Sequence, residues 1–106
     1  MNTHETKTGA ERVLILSVDT NEYDNDASVE ELKALVRTAG GETEGVIVQK
    51  LPTVNPTSYI GSGKLAEAEL FCHNQEIDLV VCDCTLSTKQ LRFLKETLKT
   101  RVIDRT

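Results

Sequence analysis

Apolar and polar residues alternate along the chain in blocks that predict four strands separated by three helices. Residues 12–18 form an almost continuous apolar run, which is typical of a strand covered on both faces in a parallel sheet. Residues 43–51 and 78–83 carry shorter runs of the same kind, and residues 101–104 form a short fourth strand. Strands that alternate with helices indicate βαβ units with right-handed crossovers.

The first predicted helix lies between the first two strands. Ser28 and Glu31 have the spacing of a capping box, which predicts that the helix starts at Ser28. Gly40 and Gly41 predict its end, because glycine readily adopts the conformation that closes a helix. At about 100° per residue, five apolar residues share one side that is expected to face the core: Val29, Leu32, Leu35, Val36 and Ala39.

The second predicted helix begins at Gly63 or Lys64, after a segment that Pro52 and Pro56 keep extended. Leu70 falls outside its apolar side and is expected to be exposed. The apolar side itself consists of four residues: Leu65, Ala68, Phe71 and Cys72.

The third predicted helix repeats the capping pattern, with Ser87 as the cap and Gln90 three residues later. Phe93 is expected to face away from the core side, which suggests a surface covered by a partner or by more of the protein. The core side is expected to consist of three leucines: Leu91, Leu94 and Leu98.

Together these elements predict an α/β fold, an open three-layer sandwich with a four-stranded parallel sheet (βαβαβαβ) in strand order 2-1-3-4. Residues 11–106 are expected to form one domain, and the polar residues 1–10 a flexible extension. Ligands of such sheets bind beyond the carboxyl ends of the strands, where the strand order reverses. Asp19, the segment 59–64 and the segment 83–87 are therefore expected to gather at one edge.

Composition and charge limit the classes of protein to consider. The 106 residues include 39% hydrophobic and 27% charged residues, which is ordinary for a soluble domain. No apolar run approaches the ~18 residues of a membrane span, and the start lacks the apolar core of a signal peptide. A cytoplasmic location is the expectation. The net charge of −5 argues against bulk electrostatic binding of nucleic acid but leaves room for a local basic patch.

The cysteines and acidic residues do not predict a metal site. Cys72, Cys82 and Cys84 are odd in number and lack framework spacing, which fits a reducing compartment. A zinc site would need further ligands, and His73 is the only nearby candidate. The acidic loop at residues 19–26 lacks the glycine and terminal glutamate of a calcium loop.

A glycine turn, residues 61–64 (GSGK), opens the second helix directly after a loop. Such a turn presents N–H groups and a positive helix end to an anion. It is not a Walker A loop, because Leu65 follows Lys64 where a hydroxyl residue would hold magnesium. The turn only caps the helix, contacts a phosphate of a ligand or RNA, or takes part in hydrolysis of a triphosphate. In the second case the binding residues are Tyr59, Gly61, Ser62, Gly63 and Lys64.

Two further groups of residues are candidates for contacts. Four cations form a stripe beside the apolar side of the third helix, interrupted by Glu96: Lys89, Arg92, Lys95 and Lys99. This basic stripe is either a solvated face or a surface that binds RNA. Asp19, Asp83 and Ser87 are candidate contacts where the strand order reverses, although Asp83 alternatively caps the following turn. No Ser–His–Asp or Cys–His arrangement is recognisable, so no catalytic residue is predicted.

In order and spacing, three segments resemble the N-terminal domain of the HflX family of ribosome-associated GTPases. They are the glycine turn, the serine-capped segment 86–92 and the closing segment 102–106. The resemblance runs from about Glu11 to the last residue. The positions that match the family's motifs are Tyr59, Gly61, Gly63, Lys64, Leu86, Ser87, Gln90, Leu91, Asp104 and Arg105.

The resemblance implies that GTP hydrolysis, with GTP and Mg²⁺, belongs to a separate GTP-binding domain joined through long helices. This part of the protein is then not an enzyme and needs no cofactor. The implied partners are the large ribosomal subunit, through its RNA, and the protein's own helical and GTP-binding domains. Two functions remain open: a ribosome-docking and regulatory module, or an autonomous domain that binds an ATP phosphate at the glycine turn.

Overall fold

The computed structural model of the protein describes residues 10–22 and 24–105. Their order confirms the predicted alternation of strands and helices. The predicted N-terminal extension, apart from Ala10, lies outside the described residues. The elements are β1 (Arg12–Asp19), α1 (Asn25–Thr38), β2 (Glu42–Lys50), α2 (Ser62–Asn74), β3 (Leu79–Cys82), α3 (Thr88–Leu98) and β4 (Arg101–Ile103).

The four strands form one parallel sheet in the order β2-β1-β3-β4, as predicted. Strand β1 lies in the middle and pairs with β2 along its whole length and with β3 through Val13 to Leu16. Every residue from Val13 to Val18 is buried. The apolar run becomes the centre of the fold because both faces of this strand are covered.

Helices cover the two faces of the sheet unequally. Leu14 and Leu16 belong to the larger core cluster, which also contains buried residues of α2 and α3. Val13 and Ile15 point to the other face, where they pack with Leu32 and other residues of α1. The fold is therefore the predicted three-layer sandwich, with one helix on one side and two on the other.

Helix α1 begins earlier than the sequence predicts. Asp24 caps it, and its Oδ1 accepts a hydrogen bond from the N–H of Ala27 at 3.0 Å. The prediction that Ser28 and Glu31 form the capping box is wrong, because aspartate caps a helix as well as serine does. The earlier start places Ser28 inside the helix, where its hydroxyl reaches the edge of the sheet.

Helix α3 follows its prediction closely. The Oγ of Ser87 accepts from the N–H of Gln90 at 3.1 Å, and the Oε1 of Gln90 accepts from the N–H of Ser87 at 2.9 Å. Leu94 and Leu98 are buried, and Leu91 is partly buried against the same cluster. The capping box and the core side are thus confirmed.

Three apolar residues lie elsewhere than predicted, and one lies as predicted. Leu35 and Ala39 were expected on the core side, but Leu35 is 53% exposed and Ala39 is exposed as well. Phe93, expected to face away, is partly buried and packs against the larger core cluster. Leu70 is exposed, as predicted. Among the described residues, none of the helices has the length and apolar character needed to cross a membrane.

Candidate functional site

A buried acidic residue organises the carboxyl edge of the sheet. Asp83 follows β3 directly and is 2% exposed. Its Oδ1 accepts hydrogen bonds from the Oγ of Ser28 at 2.9 Å and from the Nη1 of Arg105 at 2.7 Å. Its Oδ2 lies 3.4 Å from the Oγ of Ser17. Both carboxylate oxygens are therefore engaged by the protein itself, and Asp83 as a ligand contact stays a prediction.

Arg105 joins the chain after β4 to α1. Its Nη1 donates to the Oγ of Ser28 at 2.8 Å, and its Nη2 donates to the Oε1 of Glu31 at 2.5 Å. The hydrogen bonds to Asp83 and then Glu31 raise the pKa of the guanidinium above its usual value. We call Ser28, Glu31, Asp83 and Arg105 the Arg105 cluster. A buried carboxylate needs such a partner, because an uncompensated charge in the interior is costly.

The other residues predicted for this edge stabilise local turns. The Oδ1 of Asp19 accepts from the N–H of Asn21 at 3.0 Å, while Ser87 caps α3. The Oδ2 of Asp104 accepts from the N–H of Leu86 at 2.8 Å. Within the described part of the chain, no group of three His, Cys, Asp or Glu side chains could hold a metal ion.

A local contact explains why the first residue of the glycine turn, Gly61, is a glycine. The N–H of Gly61 donates to the Oε1 of Gln49 at 2.7 Å. A Cβ added at Gly61 would lie 2.9 Å from the Nε2 of Gln49, so the close approach favours glycine here. A Cβ added at Gly63 would meet nothing within 4 Å. Gly61 caps α2 without a side-chain hydrogen bond, which leaves the first turn of the helix open towards the surface.

Tyr59 and Lys64 occupy different environments, although both were predicted to contact a ligand. Tyr59 is 1% exposed, and its Oη accepts from the N–H of Val18 at 3.1 Å. Its ring belongs to the core, so Tyr59 is a positioning residue for the turn rather than a surface contact. Burial, with Cys84 and Cys82 alongside, raises its pKa. Lys64 reaches the surface, where its Nζ lies 3.2 Å from the Oε1 of Glu67.

The loop before the glycine turn contacts α3. The prediction that Pro52 and Pro56 keep this segment extended is wrong for its second half, because the chain turns back between Asn55 and Tyr59. Asn55 and Tyr59 exchange main-chain hydrogen bonds of 3.1 and 2.9 Å. The Oδ1 of Asn55 also accepts from the N–H groups of Thr57 and Ser58. The Nε2 of Gln90 then donates to the main-chain carbonyl of Asn55 at 2.7 Å. The Asn55-Pro56 pair marks a turn in the sequence, but nothing there indicates its contact with Gln90.

The basic stripe lies on the outer side of α3. Its four side chains are exposed, and none forms an ion pair with another described residue. Lys99 ends the helix with a left-handed φ of 56°. Beside the stripe, Phe93 and Thr57 line an open depression of about 440 Å³ between α3 and the loop. Lys89 and Arg92 line this depression, whereas Lys99 lines another one, between α2 and the end of α3. A single contact surface formed by all four cations therefore stays a prediction.

The three cysteines are free thiols. Burial raises the pKa of Cys72 to about 11 and also raises the pKa of Cys82 and Cys84. Thiols of this kind are protonated at neutral pH, so they act as small apolar residues rather than nucleophiles.

Comparison with known proteins places the chain in a family. The family described as "GTP-binding GTPase N-terminal" matches residues 26–106. A GTPase HflX of Caldanaerobacter subterraneus is 36% identical over 91% of this chain and 22% of its own length. A GTPase HflX of Lacrimispora saccharolytica is 38% identical over 96% of this chain and 24% of its own length. That of Alkalihalophilus pseudofirmus is 35% identical over 91% of this chain and 23% of its own length.

The matched region therefore spans about a quarter of the length of these relatives. The motifs, the strand order and the family match agree. The family predicted from the sequence motifs is confirmed: the chain belongs to the GTP-binding GTPase N-terminal family, the N-terminal domain of HflX-type GTPases.

Proposed function

We propose that this domain docks an HflX-type GTPase on the large ribosomal subunit by contacting ribosomal RNA, and that it regulates the GTPase from there. The observation that carries the proposal is the basic stripe. Three exposed cations on α3, and a fourth at its C-cap, belong to a domain whose net charge is −5. A protein of this charge is repelled by phosphates overall, so a concentrated cationic surface is where contact with RNA is favourable.

The stripe and the glycine turn are held in a defined relation to each other. Gln90 on α3 forms a hydrogen bond to Asn55, and Asn55 forms main-chain hydrogen bonds to Tyr59, just before the turn. These contacts fix the open first turn of α2 relative to α3. Both surfaces therefore act as contacts that position the domain on a phosphate backbone, with further affinity supplied by other parts of the full-length protein.

GTP binding and hydrolysis, with Mg²⁺, belong in this proposal to a part of the full-length protein outside this chain. The glycine turn lacks the hydroxyl residue of a P-loop, since Leu65 follows Lys64. The protein's own helical and GTP-binding domains are the expected partners through which docking affects hydrolysis.

The alternative of an ATP-binding domain has less support. It rests on the glycine turn alone, where Gly61 donates its N–H to Gln49 and Lys64 is paired with Glu67. The docking proposal rests in addition on the exposed cations of the basic stripe. Calorimetry with ATP and GTP tests this alternative directly. Without a P-loop, we expect affinities no tighter than about millimolar, and micromolar binding would favour the alternative.

Charge reversal on the stripe tests the proposal. In the full-length protein, we would replace Arg92 and Lys99 together by Glu and sediment the variant with purified large ribosomal subunits. Lys33→Glu with Arg37→Glu is the control, because it changes the net charge equally on α1, on the opposite face of the sheet. A separate Lys64→Glu variant tests the glycine turn.

The stripe variant should bind at least about tenfold more weakly, and the slope of log affinity against log salt should fall by about 2. The control should bind almost as the wild type does. Equal losses in the two charge-reversed variants would mean that only overall charge matters. Wild-type binding by the stripe variant would leave these cations as a solvated face.

A further inference from the structure

The depression between α3 and the loop that contains Thr57 combines an aromatic ring with cations. Phe93, Lys89 and Arg92 line it from α3, and Thr57 lines it from the loop. Its volume is about 440 Å³, within the range of about 300–1,000 Å³ that is typical of binding sites for small molecules. An aromatic ring, two cations and a hydroxyl therefore meet in one concave space.

Hydrogen bonds hold the two sides of the depression together. Gln90 is a buried residue of α3, and its Nε2 donates to the main-chain carbonyl of Asn55 at 2.7 Å. The Oδ1 of Asn55 accepts from the N–H of Thr57 at 2.8 Å. Thr57 is therefore fixed opposite α3 before any ligand arrives. A preformed site of this kind loses less entropy on binding than a flexible one does.

Phe93 is anchored in the fold but still lines the depression. Its ring packs against the larger core cluster without being fully buried. One part of the ring surface is thus held by the core, and another part is available to a ligand. Planar bases of nucleic acids stack on aromatic side chains, and every base offers a π-face for such a contact.

The charged residues of the depression favour a nucleotide over an apolar ligand or a lone phosphate. Lys89 and Arg92 are exposed and form no ion pair with another described residue, so both are available to phosphates. Glu96 lines the same space. Its carboxylate repels a phosphate but accepts a hydrogen bond from the amino group of a base. A base in the depression, with phosphates at the two cations, satisfies both signs of charge.

We propose that this depression binds one unpaired base of ribosomal RNA, which stacks on Phe93 while Lys89 and Arg92 contact the neighbouring phosphates. The inference rests on the proposed function and adds that the domain selects a single-stranded nucleotide. In an RNA duplex each base is already stacked and paired, so a loop or a bulge supplies the ligand. A free nucleotide offers the same base but carries phosphate on one side only, and it therefore makes fewer of these contacts.

Substitutions of Phe93 in the full-length protein separate stacking from packing. Phe93→Leu keeps an apolar side chain against the core but removes the aromatic face, whereas Phe93→Tyr keeps that face. In sedimentation with purified large ribosomal subunits, Phe93→Leu should bind about tenfold more weakly, and Phe93→Tyr within about twofold of the wild type. The slope of log affinity against log salt should be unchanged in both, because no cation is lost. Urea melts of both variants check that the fold is intact.

Ultraviolet crosslinking of the full-length protein on large ribosomal subunits identifies the base directly. Mass spectrometry of the digested complex should find a nucleotide attached to Phe93, and that nucleotide should come from an unpaired region of the RNA. Calorimetry with CMP and AMP tests free nucleotides as the ligand. We expect their binding to be no tighter than about millimolar.

The results that would overturn the proposal differ from those that would overturn docking. Wild-type binding by Phe93→Leu, an equal loss in Phe93→Tyr, or a bound complex without a crosslink at Phe93 would each exclude the stacked base. Crosslinking to a paired base would exclude it too, and micromolar binding of CMP or AMP would assign the depression to a free nucleotide. If the variant with Arg92 and Lys99 replaced by Glu loses binding and Phe93→Leu does not, only the base site fails. If neither variant loses binding, the proposed docking function fails with it.

Discussion

The Arg105 cluster and the basic stripe both contain charged side chains, but they differ in whether these side chains form ion pairs within the described part of the protein. In the cluster, Asp83 is buried, and its partner Arg105 holds two carboxylates and a hydroxyl. In the stripe, all four cations are exposed, and none pairs with another described residue. In the first region the charged side chains stabilise the fold. In the second region they are exposed and available for contact with a partner.

The reason for the difference is solvation. A carboxylate in the interior loses its water and must be compensated, so the cluster is built from matched donors and acceptors. An exposed lysine or arginine keeps its water, and a surface pair would add little stability. Mutations in the cluster should therefore change stability, and mutations in the stripe should change binding.

Leu94→Ala should give the largest loss of stability, because Leu94 packs α3, which carries the basic stripe, against the core. Leu94 is fully buried under α3. The substitution leaves a cavity and should lower the free energy of unfolding by about 3–5 kcal/mol. Urea melts of the purified chain measure this loss. A loss below about 1 kcal/mol would show that α3 does not pack on the sheet through this residue.

Arg105→Ala should cost about 2–4 kcal/mol, because it leaves the carboxylate of Asp83 buried without its cation. Arg101→Ala is a matched control. Both arginines form ion pairs of 2.7 Å, but the pair of Arg101 with Glu11 is exposed on both sides, whereas the Asp83 side chain is not exposed at all. The control should cost less than about 1 kcal/mol. Equal losses in the two variants would contradict the role given to burial.

Gly61→Ala should cost about 1–2 kcal/mol, because the new Cβ displaces Gln49 and weakens its bond to the N–H of residue 61. Gly63→Ala is the control, since its Cβ would meet nothing within 4 Å. Alanine inside a helix is favoured over glycine, so this control should stabilise the protein by up to about 1 kcal/mol. Thermal melts of both variants distinguish the two glycines, and similar shifts would mean that Gln49 does not require glycine at position 61.

The stripe should give the smallest change in stability. Arg92→Glu combined with Lys99→Glu should alter the free energy of unfolding by less than about 1 kcal/mol, because both side chains are exposed. Urea melts run beside the ribosome-binding assay check this expectation. A larger loss would show that these cations support the fold, and reduced RNA binding could then not be assigned to them.

Much of the fold was predictable because its signals are local. The apolar run at residues 12–18 identified the central strand, and Ser87 with Gln90 identified the start of α3. The alternation of elements predicted a parallel sheet but left several strand orders possible, and the order chosen for it, 2-1-3-4, is the one that the structure has. Periodicity and capping report burial and helix ends directly, because each depends on residues within a few positions of one another.

The first helix shows where local signals mislead. Ser28 and Glu31 have the spacing of a capping box, yet Asp24 caps α1 and both residues bind Arg105, more than 70 positions away. Leu35 has the periodicity of a core residue but is 53% exposed.

The candidate site could be predicted only as a set of residues, not as an arrangement. The sequence contains the glycine turn and the four cations of the basic stripe, but helical spacing could not show that Lys99 ends α3 in a left-handed conformation and faces α2. The bonds of Gly61 to Gln49, Gln90 to Asn55 and Asp83 to Arg105 link positions between 12 and 35 residues apart. Which distant groups come within hydrogen-bond distance depends on how the strands and helices pack, and no spacing along the chain encodes that distance. The folded structure alone therefore makes Tyr59 a core residue and Arg105 the partner of a buried carboxylate.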